Sequence, residues 1–110
     1  MQNNDGIGLM NDTKWDELRI AMYEYPQTLM WRTKDIENGY ISEWDAEWYY
    51  HFRPSLNSYK TIEWVEILID DEQTKQEIIK ILKKIHVPGE VEETIIRVYG
   101  YAKDKYVDYI

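Results

Sequence analysis

The segment from Gly39 to Arg53, which reads YISEWDAEWYYHFR after its glycine, constrains the fold more than any other stretch. Taken as a strand, it places Tyr40, Ser42, Trp44, Ala46, Trp48, Tyr50 and Phe52 on one face. Ile41, Glu43, Asp45, Glu47, Tyr49, His51 and Arg53 fall on the other. Side chains alternate across a strand, so one face is largely aromatic and the other largely charged, as in a strand with one face on a core. A helical reading competes, because Trp44, Trp48 and Phe52 fall at four-residue steps behind Ser42 as N-cap. Tyr and Trp favour strand, whereas Ala and Glu favour helix. Two short strands turning near Asp45-Ala46 are the third option. We expect a strand, broken or bulged near Asp45.

The flanking chain supplies partners for this ribbon. Asn38-Gly39 is a strong hairpin signal, since both residues accept positive φ, and it joins the ribbon to the strand-like Thr28–Ile36, TLMWRTKDI. Thr61–Ile69, TIEWVEILI, is rich in β-branched and aromatic residues. There Trp64, Glu66 and Leu68 share a face, so Glu66 either lies at the sheet margin as a structural carboxylate, the reading we favour, or is buried with a partner. Thr94–Ala102, TIIRVYGYA, is a further strand with Gly100 marking a bulge. Lys103–Ile110 either adds a short strand or trails off.

Two helices complete the set. Asp12 or Thr13 caps the first, over roughly residues 13–25; Trp15, Leu18, Met22 and Tyr25 form its apolar face and Pro26 ends it. Asp70 or Asp71 caps the second, whose stripe is Ile78, Ile79, Ile81, Leu82 and Ile85. Lys80, Lys83 and Lys84 gather at its C-terminal end, before His86-Val87-Pro88-Gly89. Pro54–Lys60 is a loop, and Met1–Met10 lacks periodicity and reads as a flexible leader, with Met10 an alternative natural start. The expectation is an α+β fold: an antiparallel sheet of about four or five strands with two helices on one face, in the order α-β-β-(β)-β-α-β. Residues 11–110 then form one domain behind the 1–10 leader.

Charge narrows the partners. Thirteen basic against twenty-one acidic residues give a net charge of −8, which disfavours nucleic acid and anionic membranes and suits a basic protein partner. There is no cysteine, so disulfides and thiol chemistry are excluded. No apolar run approaches the roughly 18 residues of a membrane span, and no signal peptide is visible, so a cytoplasmic protein is expected.

Catalytic motifs are lacking. Ser42, Ser55 and Ser58 sit in no nucleophile motif, and the two histidines are far apart. His51 fits a hydrogen-bonded or surface role and His86 a helix cap. Asp45, Glu47 and His51, with Glu43 able to join, form a row of weak metal-ligand candidates that matches no established spacing; no cofactor is expected. Two acidic runs stand out: Asp35–Glu47 and Glu63–Glu72 each carry five acids, at least one Trp and no Lys or Arg. If the runs lie side by side, Asp45, Glu47, Trp48, Glu63 and Glu66 contribute to an acidic, aromatic surface for a basic protein.

The succession ISEWDAEWYYHF, YKTIEWVEILI, a helix, HVPGE and IIRVYGYA resembles an uncharacterised bacterial family of small proteins, the DUF6678-like proteins, over most of the chain after Met10. The resemblance supplies no catalytic residues to carry over. In character the chain is also similar to immunity proteins, which suggests a module of immunity or antitoxin type that occludes a basic partner. The alternatives are a small-ligand or metal-binding domain using the Asp45, Glu47 and His51 row, and a homo-oligomeric structural protein.

Overall fold

The computed structural model describes residues 7–52, 59–103 and 105–110. In chain order the elements are β1 (Ile7–Gly8), α1 (Asp12–Glu24), β2 (Trp31–Asp35), β3 (Ile62–Leu68), α2 (Glu72–Ile85), β4 (Gly89–Val91), β5 (Ile95–Tyr99) and β6 (Tyr101–Ala102). They form an α+β fold in which β2-β3-β5-β4 make an antiparallel sheet and β1-β6 a separate two-stranded ribbon. Ile7–Gly8, expected as part of the leader, pair with Tyr101–Ala102, while Leu9 N–H donates to the Gly100 carbonyl. Residues 1–6 of the leader, and 53–58 of the loop and ribbon end, lie outside the described residues.

Both helices pack on one face of the sheet. Trp15, Leu18 and Met22 of α1 and Ile78 and Leu82 of α2 join Trp31, Val65, Ile67, Ile96 and Val98 in one buried cluster. The helices run antiparallel, with Lys14 near the start of α1 donating to the carbonyl of His86 beyond the end of α2. The first helix begins one residue earlier than an Asp12 cap implies and two earlier than a Thr13 cap implies. Asn11 caps it, its Oδ1 accepting from Lys14 N–H at 2.8 Å. Asp71 caps α2, as its sequence indicates, and His86 closes it in the left-handed conformation, φ 69°, donating to the Leu82 carbonyl.

A bulge sets the phase of β3. Lys34 opposes Trp64 but Asp35 opposes Ile62, so Glu63 is the extra residue. This lets Ile62 enter the core together with Val65 and Ile67, which strict alternation forbids. Glu63 carbonyl accepts from Gly100 N–H at 2.7 Å, and a Cβ at Gly100 would sit 2.2 Å from the Ile62 carbonyl oxygen. Only glycine admits that approach.

The ribbon after Gly39 departs from a regular strand. It follows β2 back as a hairpin, bridging Lys34 to Ile41 and Trp31 to Asp45, and its pairing stops at Asp45. The connecting turn differs from the expected Asn-Gly type, because Gly39 alone has positive φ, 76°. Asp35 organises it instead: its carbonyl accepts from Gly39 N–H, and its Oδ1 accepts from Glu37 and Asn38 N–H. On the far side, Gly89 N–H donates to Asp108 and Ile110 N–H to Val87, so the C-terminal tail covers the β4 edge.

Glu66 takes the buried, partnered place and not the favoured one at the rim. It lies at the middle of the sheet rather than its rim, 3% exposed, on the face away from the helices. Register places Arg32, Glu66, Arg97 and Glu90 directly opposite one another across β2, β3, β5 and β4. Arg32 Nε donates to Glu66 Oε1 at 2.8 Å and Arg97 Nη2 to Oε2 at 2.7 Å. Trp44 lies over the Arg32 guanidinium at 4.6 Å and Trp64 against Arg97 at 5.6 Å.

Candidate functional site: the loop face from Asp45 to His51

Beyond Asp45 the chain forms a loop held by its own carboxylates. Asp45 Oδ1 accepts from Glu47 N–H at 2.9 Å, and its Oδ2 lies 2.9 Å from His51 Nδ1. Glu47 Oε1 accepts from the N–H groups of Tyr50 at 2.7 Å and His51 at 2.9 Å, in the manner of a cap without a helix. The His51 N–H, aided by those of Tyr50 and Tyr49, holds the Glu47 carboxyl below its usual range despite some desolvation. For Asp45, desolvation opposes ionisation, but the Glu47 N–H and the His51 ring outweigh it and the pKa is again lowered.

The same loop drives Trp48 and Phe52 inward. Phe52, fully buried, is the hub: its ring centroid lies 5.0 Å from Trp31, 5.0 Å from Trp48, 5.9 Å from Trp15 and 5.9 Å from Tyr59. The two indole donors facing the loop are satisfied by backbone. Trp48 Nε1 donates to Leu29 O at 2.8 Å and Trp31 Nε1 to Glu47 O at 3.1 Å. These bonds pin the loop to the chain leaving α1.

With those rings inside, the loop turns Tyr49 and Tyr50 outward. Tyr23, from the outer side of α1, meets Tyr49 at 5.2 Å, and Tyr49 meets Tyr50 at 5.0 Å. The three are 55%, 42% and 76% exposed, a contiguous aromatic patch rather than scattered rings. Arg19 supports it from beneath, 91% or more buried from solvent in its side chain, donating to the Tyr49 carbonyl and lying 4.9 Å from the Tyr49 ring. Beside the patch is a cleft of about 220 Å³, lined by residues that include Tyr23, Tyr25, Gln27, Thr28, Glu47 and Trp48.

The five candidate binding residues are therefore not brought into one surface. Asp45 and Glu47 share the loop face, whereas Trp48 is 3% exposed and belongs to the core. Glu63 is 8% exposed, its Oε1 lying 3.8 Å from Lys34 Nζ and accepting no hydrogen bond among the described residues. Glu66 is enclosed by arginines. The two acidic runs do not merge into one acidic face, because Arg32, Lys34 and Arg97 lie among the second run's carboxylates. Of the metal candidates, Asp45 contacts His51, while Glu47 spends its oxygens on backbone amides and Glu43 is exposed. Among the described residues no group of three or more His, Asp or Glu side chains is placed to hold a metal ion. The tyrosines stand outside those candidates. Their signal is Tyr23, which lies off the Trp15, Leu18, Met22 and Tyr25 stripe and so on the solvent side of the helix.

These features define a small α+β domain with an aromatic core and a loop-borne tyrosine and carboxylate surface. The chain belongs to a family of unknown function, DUF6678, whose model matches residues 1–105. No curated protein and no solved structure was found to match it. Among the described residues no helix is long and apolar enough to cross a membrane.

Proposed function

We propose that the protein is a binding module that captures a basic protein partner on the Tyr23, Tyr49 and Tyr50 face, blocking that partner by occlusion as immunity and antitoxin proteins do. The observation that carries this reading is the continuous exposed tyrosine patch beside the ionised Asp45 and Glu47 loop. Tyrosine gives a large rigid contact area at low entropic cost, and a flanking negative charge steers a basic surface. The cleft supports a macromolecular partner over a cofactor. At about 220 Å³ it is smaller than the roughly 300–1,000 Å³ of small-molecule sites, and it suits one inserted side chain. The net charge of −8 favours a basic partner and disfavours nucleic acid and anionic membrane.

The test is affinity capture from bacterial lysates at low and high salt, with Tyr49→Ser/Tyr50→Ser as the control bait. Retention of one basic protein by the wild type, its release by salt and its absence from the control support the reading. An empty capture, or one that the tyrosine substitutions leave unchanged, overturns it.

A further inference from the structure

A second surface lies where the two helices meet on the side away from the sheet. Glu17, Ile20, Ala21 and Glu24 of α1 and Ile81, Lys84 and Ile85 of α2 line an open groove of about 460 Å³. Ile20 is 42% exposed, and Ile81 and Ile85 are only partly buried, so the floor is apolar along its length. The rims carry opposite signs. Glu17 and Glu24 are exposed on α1, and Lys84 is exposed on α2. None of these three charges has a side-chain ion pair among the described residues.

We infer that this groove is the interface of a homodimer, in which α1 of one protomer lies over α2 of the other. The argument is self-complementarity. A surface with one acidic and one basic rim about an apolar floor fits its own copy turned by 180°, which is the symmetry of a two-fold dimer. Because α1 and α2 run antiparallel, with Lys14 level with His86, Glu17 falls level with Lys84 and Ile20 with Ile81. Rotation about an axis along the groove then sets Glu17 of each protomer against Lys84 of the other and buries the isoleucines between them. A partner of uniform charge would meet a like-charged rim on one side, which disfavours it. The tyrosine face is built from the other side chains of α1 and from the Asp45–His51 loop, so the two surfaces use different residues.

The experiment is sedimentation equilibrium of the full chain from low micromolar to several hundred micromolar, with circular dichroism as the check on folding. The expected result is a concentration-dependent rise to twice the chain mass. Ile20→Glu and Glu17→Lys should each weaken association at least tenfold, and Glu17→Lys/Lys84→Glu should restore it. Ile20 and Glu17 are exposed, so these variants are expected to fold. A single monomeric species at every concentration overturns the inference. So does a dimer that is indifferent to Ile20→Glu, or one that Glu17→Lys disrupts and the double reversal fails to recover.

Discussion

Glu66 and Arg97 face each other directly across β3 and β5, and Arg97 Nε and Nη2 both donate to Glu66 Oε2, at 2.9 and 2.7 Å. Arg97 also reaches Glu92 at 2.9 Å and Glu90, while Arg32 takes the other oxygen of Glu66. Burial opposes the charge on Arg97, but Glu66, Glu92 and Glu90 more than offset it and raise its pKa. For Glu90, desolvation is outweighed by the hydrogen bonds from Tyr99 and Arg97, which lower its pKa.

Removing Glu66 leaves two arginines facing a site that no longer answers them. Glu66→Ala is expected to destabilise by about 3 kcal/mol, at the lower end for a broken buried pair because Arg97 keeps Glu90 and Glu92. Glu66→Leu/Arg97→Leu should recover part of the loss, since a buried ionic pair is no more stabilising than well-packed apolar residues. Urea titration of the three chains measures both. A single variant within about 0.5 kcal/mol of wild type would contradict this arrangement.

Two glycines are expected to behave differently. At Gly100 a methyl group meets the Ile62 carbonyl at 2.2 Å and Trp15 Cζ2 at 3.1 Å, so Gly100→Ala must displace backbone. It should cost about 1–3 kcal/mol through overpacking and lower cooperativity at β5 and β6. At Gly39 an added Cβ meets nothing within 4 Å among the described residues, and the cost of alanine comes from the φ of 76°. Gly39→Ala should therefore cost about 1 kcal/mol, and Gly39→Asn distinctly less, because asparagine tolerates the left-handed region. Thermal denaturation of the three variants decides the order.

Phe52 touches four aromatic rings and has no exposure, so Phe52→Ala is expected to cost about 3–5 kcal/mol. Near-ultraviolet circular dichroism should lose most of its tryptophan signal in the same variant. Tyr50→Ala, at 76% exposure, should leave both stability and spectrum within error of wild type.

Acid should loosen the loop face before it unfolds the helices. The carboxyls of Asp45 and Glu47 both titrate below their unfolded values, so their contribution is complete above the ordinary carboxylate range near pH 4 and is lost as pH falls from there through the lower folded values. The melting temperature is expected to drop between about pH 5 and pH 3, and Glu47→Gln should flatten that limb. Parallel curves for the two chains would contradict the role given to the Glu47 carboxylate.

Much of this was legible from residue order. The helices, the three longest strands and the α+β class follow from apolar spacing, caps and β-branched runs, all of which are local. What escaped depended on distant pairing. Glu66 reads as a rim carboxylate until Arg97, thirty-one positions away, is set beside it by register. The Gly39–Arg53 ribbon fits strand and helix periods alike; the indole bonds of Trp31 and Trp48 to Glu47 and Leu29 favour neither and hold its second half as a loop. Glu63 shows why β3 breaks alternation, since a one-residue bulge leaves no mark in composition. The tyrosine face could be located only once Trp48 and Phe52 were known to point inward.

The most direct test of the proposed binding face is an amide chemical-shift titration of the isotope-labelled protein with a ten-residue arginine peptide at low salt. The peptide carries the charge of a basic partner without its identity. Shifts concentrated on Tyr23 to Leu29 and Ala46 to His51, abolished by Tyr49→Ser/Tyr50→Ser and reversed by salt, are the predicted result. Shifts spread evenly over every acidic stretch, Asp70 to Glu72 and Glu92-Glu93 included, would show generic charge attraction and contradict it.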